Sequence, residues 1–160
     1  MSDNLTPAQR RACMQAVKGR NTTPERLVRS VLHRLGCRFS LHRADLPGKP
    51  DIVLPGRKRV VLVHGCFWHG HACSHGLRRP EVNAKYWQAK LERTKVRDQA
   101  TSAALRGMGW RVLVVWECET RNTERLRMRL SRFLSMSPSK RYLNSSTACS
   151  NPSMFSSVKE

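Results

Sequence analysis

The residues best suited to chemistry lie together between His64 and Cys73. This segment contains three histidines, two cysteines and the adjacent aromatic residues Phe67 and Trp68. Thiolates and imidazoles bind transition metals, and imidazoles also transfer protons near neutral pH. The preceding run Val60–Val63 is apolar throughout. This pattern predicts a buried β-strand that ends in a functional loop.

Four residues have the types and spacing of a tetrahedral metal site: Cys66, His71, Cys73 and the distant Cys118. Three thiolates and one imidazole form a closed zinc site with no place for a substrate, so a zinc ion here would be structural. The alternative is a pair of buried thiols beside a solvent-facing imidazole. His64, His69 and His75 are alternative ligands.

The order of the predicted elements explains how Cys118 could reach this loop. A strand at Arg59–Val63, a helix from about Ala84 and a strand from Arg111 form a strand–helix–strand crossover. Such crossovers connect parallel strands that often lie side by side. The carboxyl ends of both strands would then open at the same edge of the sheet, and Cys118 follows the second strand.

Two further histidines and one aspartate are candidates for catalysis. If His71 binds a metal, His69 faces another way and stays free, as does His64 at the strand end. Free imidazoles suit proton transfer or contact with phosphate. Asp51 begins the strand preceding Arg59–Val63 and could reach the same edge. An Asp and a backbone carbonyl can bind Mg²⁺, which retains several waters; the alternative is that Asp51 is an ordinary turn residue.

The composition points to a polyanionic partner. The 160 residues include 30 Lys and Arg against 11 Asp and Glu, which gives a net charge of +19. Residues 135–160 contain few of these basic side chains, so the charge excess belongs to the folded part and favours binding of nucleic acid. There is no apolar segment of membrane-spanning length and no signal-peptide pattern, so we expect a cytoplasmic protein without membrane contact.

Given a nucleic-acid partner, several apolar side chains acquire an alternative role. Phe67 and Trp68 either pack over the metal site or form a wedge between stacked bases, and Trp87 would join them. Met14 is an apolar probe if the N-terminal helix lies along a phosphate backbone; otherwise that helix is simply solvated. Glu25, in the first turn of its helix, either complements the helix dipole or faces the metal site.

Periodicity and cap residues predict the supporting elements. Helices are predicted at about 6–18, from Thr23 as N-cap to Gly36, from Asn83 as cap to about Arg106, and at Thr123–Leu134. Strands are predicted at Phe39–His42, Asp51–Leu54, Arg59–Val63 and Arg111–Trp116, with a hairpin turn at Pro55–Lys58. We therefore expect one domain over residues 1–134, with an N-terminal helical arm, and a Ser-rich flexible tail at 135–160.

These motifs resemble those of the very short patch repair endonucleases, which nick DNA at the thymine of T:G mismatches. The resemblance covers about residues 6–134. It rests on a Met-containing N-terminal helix and on the blocks Thr23–Arg26, Leu46–Asp51, Val63–Cys73 and Gly109–Cys118. The run His-Gly-Cys-Phe-Trp-His, followed later by Trp-Glu-Cys, is highly specific.

The resemblance implies a restriction-endonuclease-like α/β fold of the PD-(D/E)XK type, with a mixed sheet flanked by helices and a structural zinc site. The usual Glu-x-Lys pair is absent, since Val63, His64 and Gly65 occupy its place. Asp51 and the carbonyl of Val63 would hold Mg²⁺. Glu25, His64 and His69 would contact metal-bound waters or the phosphate, with His69 as general base for the attacking water.

The resemblance also implies the remaining roles. Zinc would be held by Cys66, His71, Cys73 and Cys118, and the intercalating aromatics would be Phe67, Trp68 and Trp87. The implied activity is Mg²⁺-dependent nicking of one strand 5′ to a thymine produced by deamination of 5-methylcytosine, which initiates very short patch repair. We expect a monomeric, nucleoid-associated bacterial enzyme that hands its product to repair proteins. The alternatives are a non-catalytic zinc-stabilised mismatch-binding protein and a restriction-type nuclease that cuts unmismatched duplex.

Overall fold

The computed structural model describes residues 6–16, 19–78, 80 and 83–136, apart from the side chains of residues 7, 10, 13 and 14. The helices are α1 (Pro7–Ala16), α2 (Thr23–Arg34), α3 (Ala84–Gly107) and α4 (Thr123–Ser135). The strands are β1 (Ser40–Leu41), β2 (Ile52–Leu54), β3 (Arg59–His64) and β4 (Arg111–Trp116). Short 3₁₀ turns lie at Pro55–Arg57 and Glu117–Arg121. No helix of this described part is long and apolar enough to cross a membrane.

The four strands form one mixed sheet in the order β1-β2-β3-β4. The first three strands are antiparallel, whereas β3 and β4 are parallel, with His64 opposite Trp116 at their carboxyl ends. The predicted crossover through α3 is therefore confirmed, as is the pairing of the strand after Asp51 with β3. This arrangement brings the turn after β4 beside the loop after β3.

Helices cover both faces of the sheet because the buried strand β3 is apolar on both sides. Val61 packs in a core with residues of α2 and α4, while Val60 and Leu62 pack in a second core with Leu105 of α3. Trp110 also packs against this second core. The α/β architecture with flanking helices agrees with the expected fold class.

The helix starts differ from the prediction at two positions. The N-cap of α2 is Thr22, not Thr23, because the Thr22 side chain and Glu25 form a reciprocal capping box. Asn83 occupies the cap position of α3, but its backbone is left-handed, with φ of 60°, and its side chain makes no cap hydrogen bond. Strand β1 is also shorter than predicted, since only Ser40–Leu41 pair with β2. Much of the tail predicted at 135–160 lies outside the described residues.

Candidate active site and metal centre

An open cleft of about 780 Å³ lies at the edge of the sheet where β3 ends. Its walls come from the linker between α1 and α2, the start of α2, the turn before β2, the end of β3 and the middle of α3. The turn before β2 approaches α3 closely at Gly48, whose φ is +71° and where a Cβ atom would lie 2.3 Å from Thr101 Cγ2. Because only glycine fits at position 48, the turn can pack closely against α3 and form this wall of the cleft.

The structure brings Asp51 and Val63 together on one side of this cleft. The backbone N–H of Val63 donates to Asp51 Oδ2 over 2.7 Å. In a strand, the N–H and C=O of one residue point to the same side, so the Val63 carbonyl faces the same way as the carboxylate. Burial raises the pKa of Asp51 first of all, and the charge of Glu25 raises it further, while the hydrogen bond from Val63 lowers it. A cation at this position would relieve that penalty.

His69 pairs with an acid that the sequence analysis missed. Its Nδ1 atom donates to Asp98 Oδ2 over 2.5 Å, and both side chains are 19% exposed. The contact fixes the tautomer whose Nε2 atom can accept a proton. Asp98 lies on α3 next to Arg97 and near Lys95. In the sequence, one acid among basic residues on a helix gave no signal of a catalytic role.

His64 lies against His69 at the end of β3. The two rings are stacked with centroids 3.9 Å apart, and His64 meets Trp116 edge-on at 5.4 Å. Burial, followed by the charge of His69, lowers the pKa of His64 to about 4. The ring is therefore neutral at pH 7 and can accept or donate one hydrogen bond, but it supplies no positive charge to the cleft.

Glu25 lines the cleft but is already held by several protein groups. It is only 3% exposed. One oxygen accepts from the Asn21 N–H over 3.1 Å, the other from the Thr22 hydroxyl over 2.9 Å, and Arg29 Nη2 lies 2.6 Å away. The same Arg29 atom lies 3.2 Å from His42 Nε2. In this structure Glu25 both caps its helix and borders the candidate metal site, so the two sequence-based alternatives are compatible.

The four predicted metal ligands form a compact cluster, with donor atoms all within 4.8 Å of one another: Cys66, His71, Cys73 and Cys118. The Nδ1 atom of His71 lies 3.6 Å from Cys66 Sγ and 3.5 Å from Cys118 Sγ. Tetrahedral zinc, with bonds of about 2.3 Å to sulfur and 2.0–2.1 Å to nitrogen, requires a separation of about 3.6 Å. The donor types and their spacing therefore fit zinc. Among the described residues, His64 and His69 group with Asp98 instead, and His75 contacts Arg121.

Protonation of the thiols is uneven before a metal binds. A hydrogen bond from the Gly76 N–H is the main cause that lowers the pKa of Cys73 to about 6, whereas burial raises the pKa of Cys66 to about 12. Cys73 therefore favours the thiolate form at pH 7, whereas Cys66 would have to lose its proton to bind a metal. Gly76 can approach because it lacks Cβ, which would lie 2.0 Å from the His71 carbonyl oxygen.

The turn after β4 is tied to the loop after β3 by more than the cluster itself. Cys118 N–H donates to Cys66 Sγ over 3.4 Å, and Cys66 N–H donates to Glu117 Oε2 over 3.2 Å. The His71 ring stacks on Trp116 with centroids 4.3 Å apart. Trp116 therefore supports the position of His71 within the cluster.

Phe67, Trp68 and Trp87 form an aromatic wall beside the cleft. The three ring centroids are separated by 5.1, 5.4 and 6.1 Å. Lys90 Nζ lies 5.1 Å from the Trp87 centroid and 5.7 Å from the Trp68 centroid. Apolar rings beside a cation offer both stacking and attraction for a base and its phosphate. Met14 lies on α1, but its side chain is outside the described part of the chain.

Similarity to known proteins identifies the family. Residues 2–75 match the family model described as DNA mismatch endonuclease Vsr. Over 126 residues the chain is 37% identical to the DNA mismatch endonuclease Vsr of Escherichia coli, covering 79% of this chain and 80% of that protein. The chain belongs to the Vsr family.

Other relatives of this Vsr-family chain carry the names of nicking enzymes. Identity to the type II nicking enzyme V.XorIIP of Xanthomonas oryzae is 52% over 134 residues, covering 84% of this chain and 98% of the relative. Identity to V.NmeAIP of Neisseria meningitidis is 40%, covering 84% and 95%. Among solved structures, the catalytic domain of the homing endonuclease I-Bth0305I has a TM-score of 0.48 at 22% identity, covering 71% of this chain and 94% of that chain.

The part matched by the Vsr family model contains only some of the clustered residues. Asp51, His64 and His69 fall within residues 2–75, whereas Asp98 and Cys118 lie beyond them. The fold supplies these later partners through α3 and the turn after β4. The complete site of this Vsr-family protein therefore depends on the crossover between β3 and β4.

Proposed function

We propose that this protein nicks one strand of duplex DNA on the 5′ side of the thymine in a T:G mismatch. The observation that carries the proposal is the convergence of Asp51 with the His69–Asp98 pair in one open cleft. Membership of the Vsr family supports hydrolysis of DNA as the reaction class. The mismatched thymine would derive from deamination of 5-methylcytosine, and the nick would initiate very short patch repair.

The residues of the cleft can perform different roles in hydrolysis. Asp51 and the Val63 carbonyl are the groups that would hold Mg²⁺, which supplies stabilisation of negative charge on the phosphate when bound. His69 Nε2 removes a proton from the attacking water while Asp98 holds the opposite nitrogen. The water oxygen bonds to phosphorus and the bond from phosphorus to the 3′ oxygen breaks. The products are a 5′-phosphate and a 3′-hydroxyl that takes its proton from solvent.

Neutral His64 and the buried Glu25 complete this arrangement. His64 can hydrogen-bond a phosphate oxygen without adding charge, and its stacking fixes the ring plane of His69. Glu25, whose carboxylate lies within 4.8 Å of that of Asp51, would contact a metal-bound water. We assign the Cys66–His71–Cys73–Cys118 cluster to structural zinc, because all four ligand positions are filled by protein and none remains for substrate.

The aromatic wall is the proposed site of mismatch recognition. A mispaired step costs less to unstack than a matched one, so insertion of rings between bases favours the mismatch. Phe67, Trp68 and Trp87 would insert between the bases, and Met14 on α1 would serve as a further apolar probe. One chain carries one such cleft among its described residues, which suits a monomer that cuts a single strand.

A nicking assay tests the proposal directly. One duplex carries a central T:G pair and its control carries T:A in the same sequence; each strand has its own fluorescent label, and the sequence around the mismatch is varied. We expect Mg²⁺-dependent cleavage of the thymine strand only, and no cleavage by Asp51→Ala. Mismatch binding with no cleavage, by wild type and variant alike, would support a non-catalytic binding protein. Cutting of both strands of the T:A duplex would support a restriction-type nuclease.

A further inference from the structure

A second groove, of about 560 Å³, runs along the exposed side of α4. It shares no lining residue with the catalytic cleft. The two are nevertheless neighbours across the turn Glu117–Arg121, because Glu117 lines the cleft and Cys118 lines the groove. A long ligand in the cleft can therefore continue past this turn onto α4.

The groove is lined by a set of arginines and carries a strong positive charge. Its basic lining residues are Arg121, Arg125, Arg129 and Arg132. The acid in the lining, Glu119, is already engaged by Arg129 and by the Trp116 N–H. Within the described residues, Arg125 and Arg132 have no ion-pair partner and are exposed. The excess charge of the groove is thus available to an outside partner.

Three of these arginines form a continuous stripe along α4. Positions 125, 129 and 132 recur at intervals of four and three residues, so they lie on one face of α4. With a rise of about 1.5 Å per residue, the stripe is about 10 Å long. The terminal nitrogens of Arg129 are held by Glu119 and the Val114 carbonyl, so Arg129 adds charge between Arg125 and Arg132. A planar guanidinium binds phosphate oxygens through two parallel hydrogen bonds, so Arg125 and Arg132 suit a partner with repeating phosphates.

We propose that the α4 groove binds the sugar–phosphate backbone of the duplex that flanks the site held in the catalytic cleft. This inference rests on the proposed function, since it requires DNA in the cleft. Arginine clusters also bind acidic peptide motifs, but a duplex held in the cleft would already lie beside this groove, across the turn Glu117–Arg121. Among the lining residues only Met128 is an exposed large apolar side chain that could anchor a peptide. The chain's own residues 137–160 do not suit the groove by charge, since their three basic residues outnumber the single acid Glu160.

Contact through α4 would contribute binding affinity that does not depend on the DNA sequence. Phosphate contacts fix position along a duplex and contribute a salt-dependent part of affinity, but they do not read bases. The α4 groove should therefore strengthen binding to T:G and T:A duplexes equally. It should act only when the duplex is long enough to leave the cleft and reach the arginine stripe.

A binding experiment on two duplex lengths tests this contact. The variant is Arg125→Glu/Arg132→Glu; the control is Arg34→Glu/Arg127→Glu, which changes two exposed arginines that do not line the groove. Each pair lowers the net charge equally, by two units per substitution. Dissociation constants are measured at several salt concentrations without Mg²⁺, on T:G duplexes of about 12 and about 40 base pairs. Thermal unfolding of all proteins verifies that the exposed substitutions preserve the fold.

We expect the groove variant to lose about tenfold in affinity for the long duplex, with a salt slope reduced by about two, and to change less than about twofold on the short one. Arg125→Gln/Arg132→Gln should give the same pattern more weakly. Equal losses for groove and control variants, or losses that do not depend on duplex length, would overturn the proposal. Unchanged DNA binding, with a poly-glutamate peptide bound by wild type but not by the variant, would identify an acidic protein partner instead. Because no cleavage is needed, failure here is distinct from failure in the nicking assay.

Discussion

At the scale of single residues, the pairing of His69 with Asp98 makes the sharpest prediction. The carboxylate accepts from Nδ1, which leaves Nε2 free of hydrogen and stabilises the imidazolium formed after proton transfer. Asp98→Asn keeps the shape but presents an amide that can also stabilise the wrong tautomer. We expect kcat for nicking to fall about 10²- to 10⁴-fold, with KM little changed. The exposed Glu92 on the same helix gives the control Glu92→Gln, which should nick normally.

Asp51 shows how a functional residue can cost stability. Its pKa is raised by burial, so the metal-free fold favours the protonated carboxyl. For an acid with a raised folded-state pKa, this preference is fully satisfied at low pH and is lost as the pH rises through that pKa. Asp51→Asn removes the charge and can still accept the hydrogen bond from Val63.

We therefore expect Asp51→Asn to abolish nicking and to raise the unfolding temperature of the Mg²⁺-free protein by a few degrees at pH 7. Calorimetry with and without Mg²⁺ measures both effects. The gain should shrink toward pH 4 and disappear when Mg²⁺ is added to wild type. A variant that is less stable than wild type at pH 7 would contradict the assigned cost of burial.

At the scale of elements, the sequence is most informative where hydrophobic patterns are long. The apolar runs of β3 and β4 predicted both strands and their parallel pairing, and the residue types around Cys66 predicted the side chains that lie close enough together to hold a metal. Strand β1 was overestimated because Ser40–Leu41 are exposed and pattern alone does not set where pairing stops. Asp98 was missed because its role depends on how α3 is rotated over the sheet, which a helix with mixed polar surface does not reveal.

The start of α2 is an element whose geometry depends on one arginine. Arg29 Nη1 donates to Asn21 Oδ1 over 2.6 Å, and Nη2 donates to Glu25 over the same distance. The guanidinium fork thus ties the linker from α1 to the cleft wall, and Asn21 itself holds a left-handed backbone with φ of 56°. A lysine offers a point charge and cannot make both contacts.

Arg29→Lys should therefore loosen the linker and with it the arm. We expect KM for the T:G duplex to rise about tenfold while kcat changes less than about threefold, together with a stability loss of about 1–2 kcal/mol. Limited proteolysis should cut the variant faster within the linker. Arg34→Lys, further along the same helix, is the control and should match wild type. Identical proteolysis of wild type and both variants would contradict the role of Arg29 in holding the linker.

The aromatic wall joins the loop after β3 to the start of α3. If Trp68 stacks on a base, Trp68→Ala removes about 1–3 kcal/mol of binding to the opened mismatch but none of the phosphate contacts. We expect the preference for T:G over T:A duplex to fall at least about tenfold, with the salt dependence of T:A binding retained. Competition binding measures both quantities. Leu77→Ala, an exposed apolar control, should leave the preference intact, and equal losses on both duplexes would contradict the wedge.

At the scale of the whole molecule, the metal cluster joins the two parallel strands at the edge where every proposed function meets. Cys66 and His71 follow β3 and Cys118 follows β4, so a metal bound there would link the two ends of the crossover through α3. The cleft, the aromatic wall and the α4 groove all border these two connections. Because these ligands meet only in the folded chain, a metal bound by them would contribute directly to the stability of this edge.

Cys118→Ser tests whether the cluster is structural, as the closed ligand set implies. Serine keeps the size of cysteine but is a poor zinc ligand, so we expect about one zinc per chain in wild type and much less in the variant. The unfolding temperature should fall by more than about 10 °C, and chelation of wild type should reproduce that fall. At a temperature where the variant remains folded, kcat per folded molecule should drop less than about tenfold, because the thiolate lies outside the reacting groups. A zinc-replete, equally stable variant would show that Cys118 is not a ligand, whereas full stability with abolished kcat would place the metal in the chemistry itself.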